Sequence, residues 1–85
     1  TTLLCQNNSL TSLLATGVDL TANAYGTSGS DIADNSLSEA ALIAFVGSLS
    51  TTATGVIEYG NNPGSNDFET WLATGDDKNY IWINA

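Results

Sequence analysis

Any catalysis by this chain would have to come from carboxylates, hydroxyls or one thiol, because the sequence holds no histidine. That removes every His-based triad and general base. Serines are plentiful, but none sits in the G-x-S-x-G setting that exposes a nucleophile. The single thiol, Cys5, lies in an apolar word, "TTLLCQNN", with no basic residue near enough to lower its pKa. It reads as a small buried hydrophobe. Asp76, Asp77 and Lys78 form a charged turn, better suited to solvent than to acid–base work. Asp31, Asp34 and Asn35 offer oxygen ligands for a weak calcium site, but their spacing does not match an EF-hand loop. No zinc cluster and no phosphate loop occur, so no catalytic residue, metal or cofactor is expected, and the chain is not read as an enzyme. "NNS" at Asn7–Ser9 is a glycosylation sequon within a turn.

Charge narrows the field further. The 85 residues include nine acidic side chains and one basic one, Lys78. Nucleic-acid binding needs Lys and Arg to neutralise phosphate, so it is excluded as a function. Anionic membrane surfaces are disfavoured for the same reason. The most apolar run, "AALIAFVGSL" at Ala40–Leu49, is too short to span a bilayer and reads as a buried helix. Thr, Ser, Asn and Gly dominate the polar set, which favours turns and exposed strands over long solvated helices. Such an acidic, lysine-poor surface suits an extracellular, cell-surface or virus-particle setting. The chain begins with Thr1, already inside its first apolar word, and is expected to be a processed piece or fragment of a longer one.

The residues whose spacing carries most information are three asparagines. Asn8, Asn35 and Asn62 stand 27 residues apart, in "LCQNNSL", "DIADNSL" and "EYGNNPG". Stacking the chain at that period aligns Cys5, Ile32 and Tyr59 in one column and Val18, Phe45 and Leu72 in another. Leu10 and Leu37 share a column that Gly64 breaks. Leu3 and Ile57 share one that Ser30 breaks. Aligned apolar columns are the signature of an internal structural repeat. A sharp turn leaves backbone groups inside, and each unpaired one costs roughly 1–3 kcal/mol. An inward asparagine has one acceptor and two donors, enough to bridge its own turn to the next unit. The three are expected to form a structural asparagine ladder.

These residues need elements to hold them. Each row opens with a short alternation that suits a strand. In the second row, "SLSEAALIAFVGSL" places Leu37, Ala41, Leu42, Phe45, Val46 and Leu49 on a helical stripe, with Ser36 and Glu39 as a capping box. In the third, "SNDFETWLATG" predicts a shorter helix capped by Ser65 or Asn66, with Phe68, Trp71 and Leu72 inward and Gly75 as its stop. The first row is ambiguous between a helix on Leu10, Leu13, Leu14 and Val18 and an extended segment. "YIWIN" predicts a last strand, with Ile81 and Ile83 inward. The reading is an α/β chain: a single short solenoid, residues 1–85, with coils at about 3–29, 30–56 and 57–80 and a closing strand at 80–84.

The word L-x-[LCI]-x-x-N-x-L resembles the leucine-rich repeat signature, from "LLCQNNSL" through "SDIADNSLS" to "IEYGNNPG". It is most similar to bacterial and phage-type surface repeats. That resemblance implies parallel strands on one face and helices or irregular segments on the other. It also implies that the sheet face is the contact surface. If columns one and three point inward, the outer column holds Leu4, Asp31, Glu58 and Trp82. Gln6, Ala33, Gly60 and Asn84 form the next outward column, and Tyr80 joins at the edge. Leu4, Gln6, Asp31, Glu58, Tyr80 and Trp82 are the candidate binding face. The expected function is non-enzymatic recognition or adhesion through protein or glycan contacts. The rival is a virion or extracellular-filament subunit that packs on copies of itself or on other subunits of an assembly.

Overall fold

The structure, a computed structural model, describes residues 2–18, 20, 29–50, 55–75 and 80–85. Asp76, Asp77 and Lys78, and part of the first and third expected coils, lie outside the described residues. Among the described residues, five elements occur in chain order. They are β1 (Ser30–Asp31), α1 (Glu39–Ser48), β2 (Val56–Glu58), α2 (Ser65–Leu72) and β3 (Ile81–Ile83). The strands form one parallel sheet in the order β1-β2-β3. This is a small mixed α/β fold in which each strand is returned to the sheet by a crossover, as parallel pairing requires.

Register follows the sequence period. Ser30 pairs with Ile57 and Asp31 with Glu58. A parallel bridge between Leu4 and Asp31 carries the same 27-residue step back into the first segment. The bonds beyond the strands keep it: Cys5 N–H donates to Asp31 C=O at 3.0 Å, and Ile32 N–H to Glu58 C=O at 2.9 Å. Ser30, the apparent exception among apolar residues, is fully buried, and its Oγ accepts from Leu3 N–H at 3.0 Å. A hydroxyl there ties the first segment to the second, which a leucine could not do.

The step shortens at β3. Ile57 pairs with Trp82 and Glu58 with Ile83. This reverses the expected facing of the last strand, because a one-residue slip moves every side chain to the opposite face. Ile81 and Ile83 are exposed, at 51 % and 39 %, while Trp82 packs with the core. The reason is aromatic. Trp82 meets Phe45, Tyr59, Phe68 and Tyr80, with ring centroids 5.4–6.3 Å away and edge-on geometry. Such pairs add about 0.5–1.5 kcal/mol each beyond area burial, which favours turning Trp82 inward.

Helix α1 starts later than its sequence suggests. Ser38, not Ser36, is the N-cap, and its Oγ accepts from Ala41 N–H at 3.2 Å. Ser36 N–H is committed to Leu10 C=O, and Leu37, fully buried, precedes the helix. Glu39 sits in the first turn, where a negative charge meets the positive helix end. The other end is tied to the first segment: Gly17 N–H donates to Ser48 C=O at 2.8 Å and Ala15 N–H to Ser48 Oγ at 2.9 Å. In α2 the N-cap is Gly64, and Ser65 is the first helical residue. Gly75 follows at φ +95°, the left-handed stop that glycine favours. The first row resolves against a helix: among the described residues 9–18 there is only a turn at Thr16–Gly17, with Gly17 at φ +70°.

The core lies between the sheet and the two helices. Ile32, Ile57 and Tyr59 come from the sheet side, Leu42 and Phe45 from α1 and Phe68 from α2. The helices approach closely at Gly64, where an added Cβ would stand 2.0 Å from Glu39 N and 2.3 Å from the Ser38 carbonyl carbon. This explains the break in the leucine column. A leucine in place of Gly64 would collide with the start of α1.

Candidate functional site

Asn35 and Asn62 are each 7 % exposed and sit in the turns that follow β1 and β2. Their amides make corresponding sets of bonds. Asn35 Nδ2 donates to Ile32 C=O and Ala33 C=O within its own turn and to Cys5 C=O in the segment before, at 3.1–3.2 Å. Its Oδ1 accepts from Leu10 N–H at 3.1 Å. Asn62 Nδ2 donates to Tyr59 C=O at 2.8 Å, to Gly60 C=O at 3.4 Å and to Ile32 C=O at 3.2 Å. Its Oδ1 accepts from Leu37 N–H at 3.2 Å. Every partner shifts by 27 residues together with the asparagine. Asn8, which is exposed, keeps only the bonds to its own turn, to Cys5 C=O at 2.9 Å and Gln6 C=O at 3.2 Å. Its Oδ1 accepts no bond from the described residues.

A second periodic feature escaped the sequence reading. Asn7, Asp34 and Asn61, the residue before each asparagine, have φ of 59°, 56° and 54°. This left-handed conformation costs most side chains about 1–2 kcal/mol, but Asn and Asp tolerate it through local hydrogen bonding. The signal was present as "NN", "DN" and "NN". It was hidden because the residue type changes along the column. Asp34 is thus a turn residue by its backbone, and Asn35 Oδ1, one of the oxygens considered for calcium, is committed to Leu10 N–H. Among the described residues no group of three or more His, Cys, Asp or Glu side chains could hold a metal.

The outer face of the sheet carries Leu4, Asp31, Glu58 and Ile83 in one row, in the order set by the register. Leu4 is 63 % exposed, and the two acids are half-buried. Gln6 is half-buried in the first segment. Trp82 and Tyr80, expected on this face, are not part of it. Trp82 lies in register with buried Ile57, and Tyr80 is 4 % exposed, with its hydroxyl donating to Ser50 C=O at 3.3 Å. Ile83 takes the place expected for Trp82. The only sequence clue was the alternation, which fixes two faces without saying which is inner.

Asp31 and Glu58 are directly opposed carboxyls on neighbouring strands. Burial, then the charge of Asp31, then a hydrogen bond with it raise the Glu58 carboxyl above its ordinary value. Asp31 Oδ1 also accepts from Ala33 N–H at 3.0 Å, which fixes its direction. Cys5 is half-buried rather than buried, and burial followed by the Asp31 charge raises its thiol, which keeps it protonated and unreactive. The row therefore offers two acids between two apolar side chains. Compared with family models, curated proteins and solved structures, the chain matches none. No described helix is long and apolar enough to cross a membrane.

Proposed function

We propose that this chain is a short solenoid of the leucine-rich-repeat type, and that it works without catalysis as an extracellular recognition or adhesion module. The observation that supports the reading is the 27-residue translation of the asparagine bonds, together with the register of the paired strands. A stack of this kind presents a regular, rigid sheet face, and rigid faces lower the ordering cost of binding. The acidic pair, flanked by Leu4 and Ile83, gives a row in which apolar area supplies affinity and charge selects the partner. A protein or glycan with basic or hydrogen-donating groups would complement it. An array of extracellular proteins and glycans, probed with the labelled chain, tests this. The expected result is a reproducible signal that Leu4→Arg abolishes without altering the melting curve, since Leu4 is largely exposed. No signal, or one indifferent to Leu4→Arg, would rule the face out.

Two observations favour a second reading, in which the module is a virion or filament subunit. Edge strand β3 exposes Ile81 and Ile83, and at the opposite end Asn8 Oδ1 accepts no bond from the described residues. A second copy stacked head to tail would use both, and such contacts grow into open assemblies. Sedimentation across a concentration series separates the readings. A monomer throughout fits recognition, whereas growth that Ile81→Lys suppresses fits assembly.

A further inference from the structure

At the end of the sheet, α2 and β3 border an open groove of about 370 Å³ that is distinct from the outer face. Its lining includes Tyr59, Tyr80, Trp82, Glu69, Leu72 and Asn84. The volume lies at the lower end of the range, roughly 300–1,000 Å³, that small-molecule sites occupy. Trp82 is half-buried and held by four neighbouring rings, so the part of it that lines the groove is fixed in place.

The polar groups converge on the same space. Tyr59 is 2 % exposed, yet among the described residues its hydroxyl has no hydrogen-bond partner. Among the described residues no fully buried side-chain polar atom lacks a partner. The Tyr59 hydroxyl therefore reaches solvent, and it does so where the side chain lines the groove. Burial and then the charge of Glu69 raise this phenol above its ordinary value, so it stays protonated and able to donate. Asn84 Nδ2 donates to Glu69 Oε2 at 2.8 Å and to Asn66 Oδ1 at 3.4 Å, which orients both side chains. Among the described residues, Glu69 Oε1 and Asn84 Oδ1 are left with no bond.

We propose that this groove binds a neutral pyranose saccharide. Tyr59 and Tyr80 are 2 % and 4 % exposed, so the half-buried Trp82 supplies the aromatic surface, whose negative ring density attracts the positively polarised C–H bonds of one side of a sugar ring. A phenol donor, a carboxylate acceptor and an amide carbonyl suit the hydroxyls around its edge. Glu69, in a chain of net charge −8, disfavours anionic sugars. The proposal does not depend on the sheet-face reading.

Titration of the chain with methyl β-D-glucopyranoside, cellotriose, mannotriose and triacetylchitotriose, read by tryptophan fluorescence and amide chemical shifts, tests it. At least one of these probes is expected to saturate, with shifts centred on Tyr59, Trp82 and Asn84. Tyr59→Phe and Glu69→Gln should each weaken binding at least about fivefold, the worth of one hydrogen bond, with unchanged melting curves. Glu58→Gln, on the outer face, should leave binding intact. Glucuronate should bind more weakly than the corresponding neutral sugar. Failure of every neutral probe to saturate would overturn the proposal. So would equal affinity in Tyr59→Phe, preference for glucuronate, or loss of binding in Glu58→Gln with shifts confined to the sheet face.

Discussion

A buried amide is useful in these turns because it satisfies carbonyls and an N–H group with a single side chain. Asn62 serves Tyr59, Gly60 and Ile32 as donor and Leu37 as acceptor. Alanine in its place would strand several of those groups away from water, at roughly 1–3 kcal/mol each where no water enters. Asn62→Ala is therefore expected to lower stability by about 2–4 kcal/mol in urea unfolding, and Asn8→Ala, at an exposed turn, by less than about 1 kcal/mol. Equal, small losses at both positions would contradict this account. The asparagine positions were visible in the sequence because the residue itself recurs. The left-handed positions before them were not, because Asn7, Asp34 and Asn61 share a backbone geometry and not an identity. Ser30 was misleading for a related reason: by residue type it breaks an apolar column, while by its hydrogen bond to Leu3 it belongs in it.

At the level of elements, the tightest constraint is the junction of α2 with the start of α1. Gly64→Ala would push a methyl into the backbone at Ser38–Glu39, where the nearest atoms are 2.0–2.6 Å away and cannot swing aside as a side chain would. Overpacking of this kind costs about 1–3 kcal/mol. Gly64→Ala should fall at the upper end of that range in thermal or chemical melts, while Gly47→Ala, with open space around it, should raise stability through helix propensity. Loss at Gly47 with tolerance at Gly64 would invert the argument. Both helices were legible from apolar spacing. Their caps were not, because Ser36, Ser38 and Ser65 are equivalent by type. Only the neighbours decide: Ser65 Oγ accepts from Asn62 N–H at 2.9 Å and donates to Tyr59 C=O at 2.8 Å, so it is occupied inside the turn. Strand β3 was legible as a strand and misread in its facing, since counting back to Ile57 gave Ile81 as its neighbour where the pairing is with Trp82. The aromatic cluster chooses the register, and it forms only in three dimensions.

For the molecule as a whole, excess negative charge opposes compaction near neutral pH. The net charge is −8 and the isoelectric point is about 4.1, so acidification relieves self-repulsion. Glu58 acts in the same direction. Its folded-state pKa is raised above the ordinary 4.5, so the native chain holds that proton more tightly than the unfolded one. The resulting stabilisation is complete below the ordinary value and is lost as pH rises through the raised one. The melting temperature should therefore be higher at about pH 5 than at about pH 7. Glu58→Gln should narrow the difference by raising the value near neutrality, and a parent chain that loses stability on mild acidification would refute this. Charge and composition were legible from the sequence alone. The opposition of Asp31 and Glu58 needed the 27-residue register, and the groove between α2 and β3 needed a facing of Trp82 that alternation could not supply.

The recurrence of one bonding pattern at a constant residue interval has an evolutionary corollary. Cys5 C=O and Leu10 N–H present to Asn35 what Ile32 C=O and Leu37 N–H present to Asn62. A tandem duplication of residues 30–56 would thus supply, in the same event, both the new unit and the docking site for its successor. Length in such a chain can change by gene slippage in whole modules, with no fresh interface to be invented at each addition.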